Sequence, residues 1–233
     1  MDTANGAVYQ LPRVQENACV SPREGVVKYL LDYRPSPLPA NLDLQPLRDW
    51  FQRCRERGLI GRDPTRYDGL AYGNISVRAG DGFVISATQT GGEPELSPDR
   101  LAWVSAFDPG ANRLNAGGPA PPSSEAMTHG QIYRALPRVG GVIHVHSPVL
   151  WRAADRLSIP ATPVDVAYGT PAMADAVDRL LRAVPECPGG LLSMGGHEDG
   201  IVAYGSDLDA AGAALLDALA RAGAEGHSQA TSS

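Results

Sequence analysis

The sequence predicts an α/β (α+β) fold in which a mixed or largely antiparallel sheet is covered by helices. Two observations support this class. Short segments with the periodicity or apolar character of strands occur in clusters, and amphipathic helical segments separate the clusters, whereas a strictly parallel sheet would alternate single strands with helices. The length of 233 residues suits one domain with an extension, and the hydrophobic content of 43% is ordinary for a globular protein.

The predicted elements follow one another from the N-terminus. Residues 1–22 show no periodic pattern, and residues 23–34 form a short amphipathic piece that ends at a proline-rich stretch. Capping residues and apolar spacing predict helices at 41–58, 123–136, 147–156, 171–184 and 207–222. Strands are predicted at 70–78, 82–87, 101–107, 112–116, 140–146, 190–194 and 200–205. This division gives an N-terminal extension at 1–40, a domain at 41–225 and a flexible tail at 226–233.

Composition restricts the kinds of partner that we expect. The formal net charge of -6 argues against nucleic acid and against a membrane surface, and no apolar run is long enough to span a bilayer. The N-terminus lacks the features of a signal peptide. The three cysteines, Cys19, Cys54 and Cys187, form no CxxC pair, so we expect reduced thiols in a cytoplasmic protein. An anionic small molecule stays possible, because amides and hydroxyls can bind it locally.

Lysine usage separates two kinds of carbonyl chemistry. Of the 20 basic residues, only Lys28 is a lysine. A Schiff-base mechanism needs a lysine amine, and Lys28 lies outside the segments that carry any other chemical signal. If the protein makes or breaks carbon–carbon bonds next to a carbonyl, we therefore expect a metal ion to stabilise the enolate.

Three histidines are candidate metal ligands. His144 and His146 lie in an apolar run predicted as a strand, where residues i and i+2 share a face with Cα atoms about 6.5 Å apart. His197 follows two glycines in a turn between two predicted strands, and such a turn can present a side chain at a strand end. Three neutral imidazoles with an open position are typical of a catalytic metal site. The alternatives are locally hydrogen-bonded strand histidines and a surface loop histidine.

The segment Pro-Pro-Ser-Ser-Glu at 121–125 opens a predicted helix. Helix capping by a serine, with an acid in the first turn, explains it without any function. The functional alternative is that Ser123 and Ser124 bind an anion while Glu125 acts as a general base. Asn74 follows a glycine, as turn residues often do, and residues 88–92 (Thr-Gln-Thr-Gly-Gly) form either a phosphate-binding nest or a simple turn.

Taken in order, these segments resemble the class II aldolase/adducin family, which includes fuculose-phosphate aldolase, ribulose-phosphate 4-epimerase, methylthioribulose-phosphate dehydratase and the adducin head domain. The resemblance covers about residues 44–222 and rests on GNISVR, the Thr/Gly loop, PSSE, HVHS and the glycine-flanked third histidine. It implies a three-layer fold with a largely antiparallel central sheet and helices on both faces. It also implies a homotetramer with active sites at subunit interfaces.

The resemblance further implies a role for each matching residue. His144, His146 and His197 match metal ligands, usually for zinc, with Mn²⁺, Co²⁺ or Fe²⁺ as alternatives. Glu125 matches the carboxylate that removes or returns the substrate proton. The positions that hold the substrate phosphate are matched by Asn74, Thr90, Gly91, Ser123 and Ser124. The implied function is a metal-dependent lyase of carbohydrate metabolism, an aldolase acting on a hydroxy-ketone or ketose phosphate.

Several features depart from the aldolase pattern. The loop at 87–92 is one residue longer than in the phosphate aldolases, Glu198 follows the third histidine, and the aldolases' loop tyrosine has no clear counterpart. Asp165, three residues before Tyr168, resembles the acid/base aspartate of the epimerases, or it is a loop carboxylate that binds nearby amides. His129 is interpreted as a structural helix residue. Epimerase, dehydratase or decarboxylase chemistry and a non-enzymatic adducin-like binding domain stay open as alternatives.

Overall fold

An eight-stranded mixed sheet forms the centre of the protein. The computed structural model of the chain describes residues 27–183 and 189–230. The strands in this part are, in chain order, β1 (Leu30–Pro35), β2 (Gly61–Arg62), β3 (Ala71–Tyr72), β4 (Asn74–Ala79), β5 (Gly82–Ser86), β6 (Leu101–Asp108), β7 (Arg113–Gly118), β8 (Gly141–His146), β9 (Gly189–Ser193) and β10 (Gly200–Gly205). The sheet order is β1-β7-β6-β5-β4-β8-β10-β9, and only β1 and β7 pair in parallel.

Helices cover both faces of this sheet. The described α-helices are α1 (Gln45–Glu56), α2 (Ala126–Ala135), α3 (Pro148–Ala153), α4 (Pro171–Ala183) and α5 (Leu208–Ala230). Apolar side chains of α1, α3 and α5 share one buried cluster with one face of the sheet, and those of α2 and α4 share a second cluster with the opposite face. The predicted three-layer α/β fold with a largely antiparallel sheet is confirmed. Among the described helices, none combines the length and apolar character needed to cross a bilayer.

Strand β8 is buried on both faces, which explains its nearly unbroken apolar sequence. Ile143 and Val145 point into the cluster with α1, α3 and α5, whereas Val142 points into the cluster with α2 and α4. Because side chains alternate along a strand, His144 and His146 lie on the same face as Val142. Both imidazoles therefore face the layer that contains α2.

The predicted strand at 70–78 is divided by Gly73 into β3 and β4. Gly73 has φ 76°, and a Cβ on it would lie 2.7 Å from Cγ1 of Ile60, so only glycine suits this bend. The bend separates β3 from the main sheet, and β3 pairs with β2 instead. The result is a small hairpin at 61–72, although no strand was predicted before residue 70.

The N-terminal boundary of the packed chain lies earlier than predicted. Residues 30–35 form the edge strand β1, although this segment was assigned to the extension at 1–40 and residues 23–34 were interpreted only as an amphipathic piece. Leu31 and Tyr33 alternate with exposed neighbours and pack against the α2/α4 cluster. The first 26 residues of the predicted extension lie outside the described part of the chain.

The last helix extends further than predicted. Helix α5 begins at Leu208 and ends at Ala230, so it continues beyond the predicted end at residue 222 and into the segment assigned to the tail. The alanine-rich sequence favours this continuation, because alanine has the highest intrinsic helix propensity. Residues 231–233 of the predicted tail lie outside the described residues.

Candidate metal centre

Three histidine side chains meet at one end of β8. His144 and His146 come from that strand, and His197 comes from the turn between β9 and β10. Strand β10 runs antiparallel to β8 with Gly200 opposite His146, so the turn that precedes β10 lies beside the end of β8. The structure therefore brings together the three residues that the sequence singled out from two distant segments.

Glycines are required in the turn that carries His197, because the turn packs directly against another loop. A Cβ on Gly195 would lie 2.2 Å from the carbonyl oxygen of Thr162, and a Cβ on Gly196 would lie 2.0 Å from that of Val166. Any side chain at either position would displace the turn. These two glycines thus fix the distance between His197 and the end of β8.

The three imidazoles converge closely enough to share one cation. One nitrogen from each of His144, His146 and His197 lies within 4.8 Å of the others, and all three side chains are buried. Nε2 of His146 lies 3.0 Å from Nε2 of His197. Two nitrogens on a tetrahedral zinc ion with bonds of about 2.0–2.1 Å would be separated by about 3.4 Å. The pair formed by His146 and His197 is thus within a few tenths of an ångström of this separation, and with His144 it forms a donor set suited to a divalent cation.

Neighbouring groups determine the tautomer and the protonation of these imidazole rings. Nδ1 of His144 donates to the carbonyl oxygen of Ile201 over 3.2 Å, which fixes the tautomer and leaves Nε2 as the nitrogen suited to a ligand role. Burial, with further contributions from the charges of His197, His144 and Arg66, holds the pKa of His146 well below its usual range. This imidazole is thus neutral at pH 7, as a metal ligand must be.

Glu125 lies immediately before α2, with its buried carboxylate facing the same cluster. Oε1 lies 3.5 Å from Nδ1 of His197, a distance at which the contact is electrostatic rather than a well-formed hydrogen bond, and Oε2 accepts from the Thr128 hydroxyl over 2.9 Å. Burial raises the pKa of Glu125, but His197, the charge of His144 and the Thr128 hydroxyl together lower it to about 2. The carboxylate is therefore ionised, although it is only 1% exposed.

A small polar recess lies beside the histidines. Four of the predicted phosphate-binding residues line it, together with residues from β3 and from the loop after β5: Asn74, Gly91, Ser123 and Ser124 with Ala71, Gly73, Ala87, Thr88 and Gln89. Asn74 is paired in register with His144 across β4 and β8, so the recess adjoins the histidine cluster. Oδ1 of Asn74 is buried and has no hydrogen-bond partner within the described residues.

Thr90 does not line the recess, in contrast to its prediction as a phosphate-binding residue. Its hydroxyl donates to the carbonyl oxygen of Ala87 over 2.8 Å and so serves the loop itself. Gln89, in the same loop, has φ 60° and adopts the left-handed conformation. Gly91 packs so tightly that a Cβ would lie 2.5 Å from the carbonyl oxygen of Tyr72. Thr88 and Gln89 take the place expected for Thr90.

Asp165 is not brought to the histidine cluster within this chain. It lies exposed in a turn in which the amide of Val166 donates to the carbonyl of Pro163. Among the described residues, its carboxylate makes no hydrogen bond and no ion pair. Its acid/base role stays a prediction without support from a contact.

An N-terminal contribution to the site was not predicted from the sequence. The Tyr168 ring packs 4.5 Å from the His197 ring, and the Lys28 ammonium lies 3.6 Å from the centre of the Tyr168 ring. The Tyr29 hydroxyl donates to the carbonyl oxygen of Ser123 over 2.7 Å. No role was assigned to Lys28 from the sequence, and the structure places its ammonium against Tyr168. No local pattern could reveal it, because the contact joins residues 140 positions apart.

His129 has the structural role that the sequence predicted. It is fully buried on α2, and its Nδ1 lies 2.7 Å from the hydroxyl of Ser76, which also contacts the Tyr133 hydroxyl at 2.8 Å. Burial, together with the charge of His144, lowers the pKa of His129 to about 3, although Glu125 acts in the opposite direction. The ring is thus neutral and ties α2 to β4 behind the histidine cluster.

These features define an α/β protein with a buried candidate metal centre, an ionised carboxylate and an adjoining polar recess. The family model for the class II aldolase and adducin N-terminal domain matches residues 64–221. The chain belongs to the class II aldolase/adducin family. The resemblance inferred from the sequence motifs is confirmed.

Characterised relatives match parts of the chain. A methylthioribulose-1-phosphate dehydratase of Sorangium cellulosum is 36% identical over 107 residues, which are 45% of this chain and 42% of that protein. A 5-methylthioribulose-1-phosphate/5-deoxyribulose-1-phosphate aldolase of Rhodospirillum rubrum is 38% identical over 76 residues, 33% of this chain and 31% of that protein. The matches thus span less than half the length of these relatives.

Solved structures with the same fold cover most of the chain. An L-fuculose-1-phosphate aldolase from Thermus thermophilus has a TM-score of 0.58 at 20% identity, covering 79% of this chain and 92% of that one. A sugar-phosphate aldolase from Thermotoga maritima has a TM-score of 0.61 at 13% identity, covering 80% and 94%. At such identities the comparison establishes the fold.

Proposed function

We propose that this protein is a metal-dependent lyase of the aldolase type, which cleaves or forms a carbon–carbon bond next to the ketone of a hydroxy-ketone or ketose phosphate. The observation that carries the proposal is the convergence of His144, His146 and His197 beside the ionised, buried carboxylate of Glu125. The three histidines are the proposed ligands of a divalent cation, with Zn²⁺ first and Mn²⁺, Co²⁺ or Fe²⁺ as alternatives.

When bound, such a cation would act as a Lewis acid and stabilise the negative charge that develops on the carbonyl oxygen. Glu125 moves the proton at the carbon next to the carbonyl: it accepts this proton when the new bond is formed and returns it after cleavage. Its burial strengthens this role, because few water molecules compete for the proton in a low-dielectric site. Thr128 holds one carboxylate oxygen, so the other is directed towards the cluster.

The recess at Asn74, Gly91, Ser123 and Ser124 is the proposed binding site for the substrate phosphate. It offers hydroxyl and amide groups close to the histidine cluster, and groups of this kind bind phosphate oxygens without a cationic side chain. The small size of the recess suits one anionic group rather than a whole sugar. In this arrangement the phosphate anchors one end of the substrate while its carbonyl faces the histidines.

A second candidate reaction is dehydration of a related sugar phosphate. Two observations favour it: the partial match to methylthioribulose-1-phosphate dehydratase, and the loop at 87–92, which is one residue longer than in the phosphate aldolases that the sequence resembles. Removal of a proton next to a carbonyl also starts a dehydration, so Glu125 would have the same role, and the two outcomes differ in which bond breaks afterwards. Epimerase or decarboxylase chemistry and an adducin-like binding function are further alternatives. Epimerase chemistry would need Asp165 as the acid/base, and no contact within the described residues supports that role.

Product analysis distinguishes these reactions. The purified, metal-loaded protein is incubated with L-fuculose 1-phosphate, 5-deoxyribulose 1-phosphate and methylthioribulose 1-phosphate, the substrates that the names of similar proteins indicate. Dihydroxyacetone phosphate together with an aldehyde is the expected product pair for a lyase. A dehydrated product without fragments would replace the aldolase proposal by the second candidate. If the protein shows no turnover and its metal content is well below one ion per chain, the binding function would be favoured.

The assembly is proposed on the family resemblance alone, whereas the location is proposed on the cysteine pattern and the kind of partner on the net charge of -6. We propose a homotetramer in the cytoplasm, with small molecules rather than nucleic acid or membranes as partners. Light scattering coupled to size-exclusion chromatography tests the oligomeric state directly. A monomer at micromolar concentration would contradict the proposed assembly.

A further inference from the structure

Strand β1 forms an exposed edge of the central sheet. It is the last strand in the sheet order, and within the described part of the chain it pairs with β7 alone. The amide of Leu30 donates to the carbonyl oxygen of Asn112 over 2.8 Å, and the amide of Ser36 donates to that of Gly118 over 3.2 Å. Because backbone groups alternate in direction along a strand, the even-numbered residues of β1 direct their amides and carbonyls towards β7.

The odd-numbered residues of β1 direct their backbone groups away from the sheet. The amides of Leu31 and Tyr33 have no acceptor among the described residues, and Pro35 carries no amide hydrogen, so no donor is lost there. A row of unpaired amides and carbonyls on an edge strand is a template for pairing with another strand. The edge can therefore receive one further strand along its whole length.

Two opposite charges lie on the outer face of β1. The exposed side chains of Asp32 and Arg34 are neighbours on this face, with Oδ1 of the first 3.8 Å from Nε of the second. An exposed pair at this distance contributes little by itself, so both groups stay available for further charges. Charges on an edge strand usually discourage pairing, but their order in β1 makes two copies of the strand complementary in one register.

This register is an antiparallel pairing of two β1 strands about a two-fold axis at Tyr33. Tyr33 then faces Tyr33 of the second copy, and each donates its amide to the carbonyl oxygen of the other. Leu31 faces Pro35 of the second copy and donates to its carbonyl oxygen. Asp32 of each copy lies opposite Arg34 of the other, at the positions without hydrogen bonds, where facing side chains are closest. Backbone groups and charges are thus satisfied in the same register.

The neighbouring registers are disfavoured by charge. A two-fold axis moved by one residue, to Asp32 or to Arg34, would place two carboxylates or two guanidiniums directly opposite each other, which is destabilising. The axis at Tyr33 also covers Leu30, whose side chain is 61% exposed on the charged face. In this register Leu30 lies beside the aliphatic part of Arg34 of the second copy.

We propose that β1 is a self-association surface, at which two copies of this chain pair their β1 strands antiparallel about Tyr33 and join two eight-stranded sheets into one. Such a contact involves neither the histidines nor the recess, so it goes beyond the proposed function. It is isologous, since each copy contributes the same residues, and it can therefore be one interface of a homotetramer with two-fold symmetry.

Charge reversal on β1 tests the pairing. Asp32→Arg and Arg34→Asp each place like charges opposite one another in the paired strands, so each should weaken association about 10- to 100-fold. Sedimentation velocity over a dilution series should give wild-type particles with an even number of chains and, for either variant, particles of half that mass. Asp217→Arg is the matched control, because it reverses one charge of an exposed Asp–Arg pair on α5, and it should retain the wild-type mass.

A mixture of the two variants separates pairing between chains from repulsion within one chain. Each variant keeps two like charges on its own strand in the mixture, but the two guanidiniums of one chain then face the two carboxylates of the other. The mixture should therefore regain the wild-type mass. The double variant Asp32→Arg/Arg34→Asp should associate with itself as tightly as the wild-type protein, because both cross-strand pairs are restored.

Hydrogen exchange locates the contact. The amides of Leu31 and Tyr33 should exchange slowly in the wild-type protein and rapidly in either single variant. A wild-type protein that stays monomeric, or single variants of wild-type mass, would overturn the proposal. A monomer in which these two amides are protected would mean that another segment of the same chain covers the edge, which also overturns it. Failure of the mixture to associate would assign the effect of the charges to the strand itself and exclude the paired register.

Discussion

Glu125 combines deep burial with a full negative charge, a state that a carboxylate reaches only with cationic or hydrogen-bonding neighbours. Thr128 donates to one oxygen, and His197 lies 3.5 Å from the other. A single mutation can separate the proton-transfer role of this group from its packing, because glutamine has the same shape and no titratable proton.

Glu125→Gln should therefore retain the metal and lose turnover. We expect kcat to fall by about 10²- to 10⁴-fold, the contribution typical of general acid–base catalysis. The metal content should stay the same, as measured by inductively coupled plasma mass spectrometry. Glu198→Gln, which changes an exposed carboxylate next to His197, is the control and should leave both quantities unaltered. Full activity in Glu125→Gln would remove this residue from the base role.

His146→Ala tests the ligand role on the same scale. The mutation removes one of three converging imidazoles, and two ligands bind a divalent cation far more weakly than three. We expect about one metal ion per wild-type chain, close to none in the mutant, and no detectable turnover. Circular dichroism should report an unchanged fold. Normal metal content in His146→Ala would place the ion elsewhere in the molecule.

The position of a site residue could be predicted from the sequence where neighbouring residues determine it, and could not be predicted where a distant contact determines it. His144 and His146 were predictable because the strand period alone places them on one face. The phosphate-binding role of Thr90 stays a prediction, because its hydroxyl donates to the carbonyl oxygen of Ala87 within the loop and the residue does not line the recess. Lys28 was missed because its partner, Tyr168, is remote in the chain.

At the scale of elements, the turn between β9 and β10 determines whether the third histidine reaches the other two. Its glycines lie against the loop at 162–166 with no space for a methyl group. Replacement there should move a whole turn rather than one side chain, so its effect on the metal site should be larger than the size of the added group suggests.

Gly196→Ala should weaken metal binding and destabilise the fold. The added Cβ would lie 2.0 Å from the carbonyl oxygen of Val166, so the turn must shift, at a cost of about 1–3 kcal/mol in the free energy of unfolding. Chemical denaturation and metal titration measure the two effects. Gly223→Ala in α5, where a Cβ meets nothing within 4 Å, is the control and should stabilise the protein by ~1 kcal/mol. Unchanged metal affinity in Gly196→Ala would contradict the role given to this turn.

Some helices and strands have a strong periodic pattern of apolar residues, whereas the position of others depends on contacts with distant parts of the chain. Helices α1 and α4 and strand β8 were predicted within a few residues, because their apolar spacing is long and regular. Strand β1 was not predicted, since its parallel partner β7 lies about 80 residues away and its own sequence ends in prolines. The hairpin at 61–72 depends on the bend at Gly73, a residue that was predicted to lie inside one continuous strand.

Across the whole molecule, the site contains residues from the region that the family model matches and residues from the segment before that region. The matched region, 64–221, supplies the histidines, Glu125 and the recess. Lys28 and Tyr29, which precede that region, contact Tyr168 and Ser123 on the side of the site near the edge strand β1. The segment that precedes the matched region therefore contributes contacts to the site.

The proposed cation should stabilise the entire fold, because its ligands tie β8 to the turn before β10. A ligand at about 1,000 times its Kd that binds only the folded state adds about 4 kcal/mol, and for a chain of this size each kcal/mol raises the Tm by about 2–4 °C. Removal of the metal with EDTA should therefore lower the Tm by roughly 8–16 °C. Restored Zn²⁺ should reverse the change.

The His146→Ala protein is the control for this experiment, since it lacks one proposed ligand. Its Tm should already be low and should respond to neither EDTA nor Zn²⁺, as differential scanning calorimetry can measure. An equal response of the wild-type and His146→Ala proteins to EDTA would show that the stabilising ion binds away from the histidine cluster. In that case the three imidazoles would be a buried polar cluster without a metal, and the lyase proposal would lose the source of its Lewis-acid chemistry.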